Sequence, residues 1–236
     1  MDGHDAPKGK PRGKLSPKDD RRLPPALLAL TLTTGLIDAA SYLGLGHVFT
    51  ANMTGNVVLL GFGLAGAGGL PVIAPLVSLG AFLLGASVGG RLGVGIVHRH
   101  ERIFLLGVGS EIALVGIAAI VAWAAQVKIY SASAYAIIVL VALAMGMRNA
   151  IVRKLAVPDL TTTVLTMTLT GIAADTSADG LAKAGRSARR LLAVAAMLLG
   201  AFAGALLEKH SLGLPLAVAA GAGALSFGWY LATHDR

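Results

Sequence analysis

Apolar runs of about twenty residues, separated by short loops that hold most of the Lys and Arg, decide what this chain can fold into. Eight such segments can be marked, at roughly 24–46, 48–68, 70–97, 103–126, 132–152, 160–174, 190–207 and 213–232. Only 14% of the 236 residues are charged and 55% are hydrophobic, where a soluble domain carries about 25% charged residues. The mean hydropathy is +0.74. The expected fold is therefore an all-α polytopic membrane protein, because a helix satisfies every backbone N–H and C=O within itself. The 31 glycines suit helices that pack backbone against backbone in lipid.

Two of the eight segments do not read as ordinary spans. The second opens with Val48-Phe49-Thr50-Ala51-Asn52-Met53-Thr54-Gly55-Asn56, and the sixth holds six threonines between Thr161 and Thr170. The positions of the cations decide how these segments sit. If all eight crossed with the N-terminus inside, seven Lys/Arg would lie outside and thirteen inside. If the second and sixth enter the membrane and turn back, only Lys128 and Lys209 lie outside and eighteen lie inside. The positive-inside rule selects the second arrangement: six crossing helices and two re-entrant or broken helices, with both termini cytoplasmic in a bacterial inner membrane.

That order makes each half read span, re-entrant element, span, span, with opposite orientations in the two halves. An inverted-topology repeat is expected, with repeat one at about 24–127 and repeat two at about 128–236. Gly35-Leu36-Ile37-Asp38-Ala39 resembles Gly146-Met147-Arg148-Asn149-Ala150, and Thr50 and Thr54 match Thr162 and Thr166 in spacing. Leu79-Gly80-Ala81-Phe82 recurs at Leu199-Gly200-Ala201-Phe202. Ahead of the membrane domain at 24–236, residues 1–23 form a basic tail too poor in apolar residues to bury a core, so disorder is expected there.

The blocks at 35–61 and 145–175, above all Asp38-Ala39 and Thr50-Ala51-Asn52-Met53-Thr54-Gly55-Asn56, resemble the YoaK-like family of bacterial membrane proteins. The resemblance covers nearly everything after residue 24. It implies a polytopic inner-membrane protein, and it brings no assigned substrate and no catalytic residues.

Short polar half-helices at matching places in two halves point to a transport site. In the first, Gly44-Leu45-Gly46 would break the chain and Thr50 would cap a helix starting near Ala51; in the second, Pro158-Asp159 would break it and Thr161 or Thr162 would cap. Helix N-termini facing inward would favour an anionic or polar group. Asp38 lies well inside the first span, where a charge is costly and is a functional hypothesis by default. Arg148 and Asn149 occupy the matching place in the second half, and Glu111 is a further buried acid with Arg91 or Asp38 as its expected partner. The candidate path is thus lined by Asp38, Thr50, Asn52, Thr54, Asn56, Glu111, Arg148, Asn149, Thr162 and Thr166. For the threonines and asparagines, hydrogen bonds that merely join helices are the competing explanation.

Other chemistries find little footing. No HExxH or GxxxxGK pattern is present; Gly85-Ala86-Ser87-Val88-Gly89 has the GxSxG spacing but reads as a small-residue packing face, and Gly180-Leu181-Ala182-Lys183-Ala184-Gly185-Arg186-Ser187 has Arg186 where a phosphate loop needs Lys. His98 and His100 would point apart on a helix, so no metal and no cofactor is expected. The net charge of +8 reads as topology and contact of the tail and loops with anionic lipid, not as a nucleic-acid surface. Three functional classes stay open. The leading one is a small-solute or ion transporter or channel, passive or ion-coupled, and not an enzyme. The others are a non-transporting sensor or docking partner, and an intramembrane enzyme using Asp38 and Glu111. Small-residue helix faces would allow a homodimer.

Overall fold

The computed structural model describes residues 22–94, 100–155, 166, 169–170 and 180–233. The expectations for the basic tail, the His98 loop side, the Pro158 break and Thr162 fall outside these residues. The described chain forms helices α1 (Leu23–Gly44), α2 (Met53–Leu64), α3 (Ile73–Val94), α4 (His100–Ala124), α5 (Ala132–Leu155), α6 (Gly180–Glu208) and α7 (Gly213–Ala232), with a single 3-10 turn at Ala67–Gly69. Six of the seven are long and apolar enough to cross a bilayer; α2, at Met53–Leu64, is too short. Large apolar side chains such as Leu83, Leu191, Leu198, Phe202 and Leu225 point outward, as expected where the surrounding solvent is lipid.

Local chemistry sets the ends. Pro24 and Pro25 occupy the first turn of α1, where their missing N–H groups are no loss. The Arg22 guanidinium lies 4.5 Å over the Tyr230 ring and ties the start of α1 to the end of α7. At the far end the chain turns through Gly46 (φ 92°) and His47 (φ 59°), a left-handed step that glycine takes without strain.

That turn sends the chain back into the bundle. The Ala51 N–H donates to Asp38 Oδ1 at 2.9 Å, and Asp38 lies six residues inside the end of α1, a depth of about 9 Å. From there α2 climbs back: a methyl group at Gly63 would come within 3.1 Å of the Leu70 and Pro71 carbonyls, just before α3 begins. The α2 segment thus leaves on the face it entered, as a re-entrant helix.

Close backbone crossings hold the six long helices. A methyl group at Gly35 on α1 would strike the Met197 carbonyl and Ala201 amide of α6, and one at Gly146 on α5 would strike the Phe82 carbonyl and Ala86 amide of α3. Gly200 faces the Leu32 carbonyl, and Gly85 faces the Leu143 carbonyl. Gly204 would meet the Leu36 carbonyl at 2.8 Å, and Gly89 the Met147 carbonyl at 2.7 Å. The α1–α6 crossing and the α3–α5 crossing therefore repeat each other contact for contact. Gly35 to Gly146, Leu32 to Leu143 and Leu36 to Met147 are each one step of 111 residues; Phe82 to Met197, Gly85 to Gly200 and Gly89 to Gly204 are each one step of 115. This register corrects the match of Leu79–Phe82 with Leu199–Phe202. A methyl group at Gly80 would meet no neighbouring element within 4 Å, so it is Gly85 that corresponds to Gly200. The short motif recurred because Gly, Ala and Leu are abundant.

Candidate functional site

Three charged side chains are buried among the described residues: Asp38, Glu111 and Arg148. Arg148 projects from α5 to the centre of the bundle and has no solvent exposure. Its Nη1 pairs with Glu111 Oε1 of α4 at 2.8 Å. Nη1 also donates to the Leu30 carbonyl and to Thr33 Oγ1 at 3.3 Å each, and Nη2 donates to Thr34 Oγ1 at 2.6 Å. Thr33 completes the ring by donating to Glu111 Oε1 at 3.2 Å. One guanidinium thus joins α1, α4 and α5, its fork supplying several fixed donors that a lysine could not. The partner of Glu111 is Arg148 rather than Arg91, which stays exposed at the far end of α3. Sequence spacing could not separate the two, because the choice is made by the rotation of α5 against α4.

Asp38 makes no hydrogen bond to this ring, although the Arg148 charge reaches it, and it does different work. The Thr50, Ala51 and Asn52 amides all act on its carboxylate, with Ala51 donating to Oδ1. The inward-facing N-terminus of α2 is therefore already occupied by an acid of this chain. The second oxygen, Oδ2, has no partner among the described residues, and neither has the fully buried Thr50 Oγ1.

Thr50 is not the helix cap. The helix begins at Met53, and Asn52 caps it by accepting from the Gly55 N–H at 3.3 Å. Asn56 is wholly buried and spent on the loop: it accepts from the Phe49 N–H at 2.9 Å and donates to the Phe49 carbonyl at 2.6 Å. Ser78 of α3 donates to the same carbonyl at 2.7 Å. This pairing, which mimics a strand ladder with one side chain, clamps the return loop to α2 and α3. Ser78, Thr33 and Thr34 carry no pattern that sequence alone distinguishes from ordinary small polar residues of a span.

A cavity of about 1400 Å³ opens beside these groups. Asp38, Thr34 and Asn149 line its middle, and Tyr42, Phe49, Asn52 and Thr54 one end. Arg153 and Lys154 line the other end; both are exposed, and Lys154 Nζ donates to the Gly90 carbonyl. Thr166, from the polar sixth segment, also faces it. The geometry brings together Asp38, Asn52, Thr54, Asn149 and Thr166. Glu111, Arg148, Thr50 and Asn56 are not on the cavity wall, and Thr162 lies outside the described residues.

The fold and this polar interior define a multi-pass membrane protein with a re-entrant helix and a buried acid on a cavity wall. The family described as "Protein of unknown function (DUF1275)" matches residues 26–229, and the chain belongs to that family. It is similar to the "UPF0700 transmembrane protein YoaK" of Bacillus subtilis (strain 168), with 35% identity over 153 residues that cover 64% of this chain and 66% of that protein. No solved structure matches the chain.

Proposed function

We propose that the protein is a small-solute or ion transporter or channel of the bacterial inner membrane, with both termini cytoplasmic and two inverted repeats. The observation that carries this reading is Asp38: a buried acid whose Oδ2 is unpartnered, on the wall of the 1400 Å³ cavity, where the chain breaks and re-enters. Glu111 also has an unpartnered oxygen, but it is paired with Arg148 and lies off the cavity wall, whereas Asp38 lines the cavity and is bonded to backbone at the chain break. The matched glycine crossings support the repeat, and with it a path between halves that rock against each other. Orientation rests on the cations: Arg91, Arg102, Arg153 and Lys154 lie at one end of the long helices, and Lys128 and Lys209 at the other.

No catalytic role is proposed. An acid–base pair of Asp38 and Glu111 needs both at one cavity, but Glu111 is bound to Arg148 and away from the wall. Nothing in the described residues favours the sensor reading. Flux tests the proposal. Reconstituted wild-type protein should give a proton or solute leak that Asp38→Asn lowers at least about tenfold, as expected for loss of the group that carries the coupling. Equal flux from wild type, Asp38→Asn and empty vesicles contradicts it.

A further inference from the structure

The buried charges do not balance. Two buried acids share one buried cation: Arg148 pairs with Glu111 at 2.8 Å and acts on Asp38 only through space, so Asp38 has no salt bridge of its own among the described residues. The Ala51 amide holds Oδ1, while Oδ2 has no hydrogen-bond partner among the described residues. A low-dielectric interior favours a counter-charge for such a group over leaving it alone.

The surroundings restrict what that counter-charge can be. A bare metal ion needs several oxygen ligands in a tight shell, whereas Asp38 is the only carboxylate on this wall among the described residues. The cavity is large, and much of its wall is apolar, with Met53, Val58, Leu59, Phe82 and Met197. On the same wall the Tyr42 and Phe49 rings stack at 4.8 Å between centroids. Both lie near Asp38: Tyr42 is one helical turn further along α1, and Phe49 is two residues before the amide that Asp38 binds. A carboxylate beside aromatic faces suits an ammonium group, through the ion pair and the ring quadrupoles together. The apolar remainder suits a hydrocarbon body. Arg153 and Lys154 at the far mouth are exposed, so water weakens their repulsion of a cation held at Asp38.

We infer that the cavity binds a small organic monocation, an amine with an apolar body, with Asp38 as its counter-ion and Tyr42 and Phe49 as its aromatic wall. The inference rests on the transport reading for its purpose but not for its geometry.

Three probes of one shape and different charge test it: benzylammonium, benzyl alcohol and benzoate, added to purified full-length protein and followed by thermal shift and calorimetry. Benzylammonium should bind at least about tenfold more tightly than the alcohol, with benzoate weakest, for an ion pair formed out of water. Asp38→Asn should erase that preference while keeping the Ala51 hydrogen bond, since an amide oxygen accepts there too. Asp38→Glu should retain part of it. If Asp38→Asn fails to fold, Tyr42→Leu replaces it, and should weaken the amine several-fold while leaving the alcohol unchanged. An amine that binds no better than the alcohol, a preference that survives Asp38→Asn, or a preference that Tyr42→Leu leaves undiminished overturns the inference. Amine binding without flux upholds the site and removes the transporter. A proton leak that depends on Asp38, without amine preference, does the reverse.

Discussion

Arg148 shows what a single charged residue does in this bundle. It reaches Glu111, Thr33, Thr34 and the Leu30 carbonyl, so its removal strands an acid at a site 2% exposed. Arg148→Met should destabilise the protein by about 3–5 kcal/mol, the usual cost of leaving one member of a buried pair alone. Adding Glu111→Leu should recover most of that loss, because a buried pair replaced by apolar residues is often neutral. Denaturation in mild detergent measures both, and a double variant as unstable as the single one would contradict a purely pairwise role. Asp38 differs in kind. Its carboxylate is bonded to backbone rather than to a cation, and the residue lines the cavity.

At the scale of elements, α2 and the crossings make separate demands. Asn56 alone fastens Phe49 in both directions. Asn56→Leu should cost about 1–3 kcal/mol through the unpaired backbone groups it leaves, and hydrogen exchange should rise at 47–56 but not along α4. The glycines divide sharply by what faces them. Gly146→Leu and Gly200→Leu put side chains into the Phe82 and Leu32 carbonyls and should prevent folding. Gly80→Leu and Gly221→Leu enter open space and should leave expression and melting unchanged. If Gly80→Leu were as damaging as Gly200→Leu, the register linking α3 to α6 would be wrong. The long apolar helices were readable from sequence because length and hydropathy are local properties. The register was not, since which small residue meets which backbone depends on how two helices rotate and slide against each other. For the same reason Asn56 reads as lining from sequence yet serves as a clamp, and Asn52, not Thr50, caps α2.

The described residues of the molecule form six long helices and one that turns back, and this ordering came from where cations fall rather than from apolarity. Cysteine is absent, so single cysteines can be introduced on a clean background. A cysteine at Gly68 should react with an impermeant thiol reagent from outside the cell, and one at Arg102 only after the inner face is opened. The reverse pattern would restore eight crossings. Of the candidate site, Asp38 was legible because a charge inside a span has few innocent explanations. The Arg148 ring and the aromatic wall were not, because they join residues from helices far apart in sequence.

The central claim is that solute passes through the cavity beside Asp38, and a blocked path tests it most directly. Thr54 faces that cavity, while neighbouring Val57 is 58% exposed on the outside of the bundle. Thr54→Cys and Val57→Cys proteins would be reconstituted, and proton leak and benzylammonium uptake measured before and after a bulky thiol reagent. Modification at position 54 should abolish flux, and modification at position 57 should leave it intact. Flux that continues undiminished through fully modified Thr54→Cys protein would contradict the account.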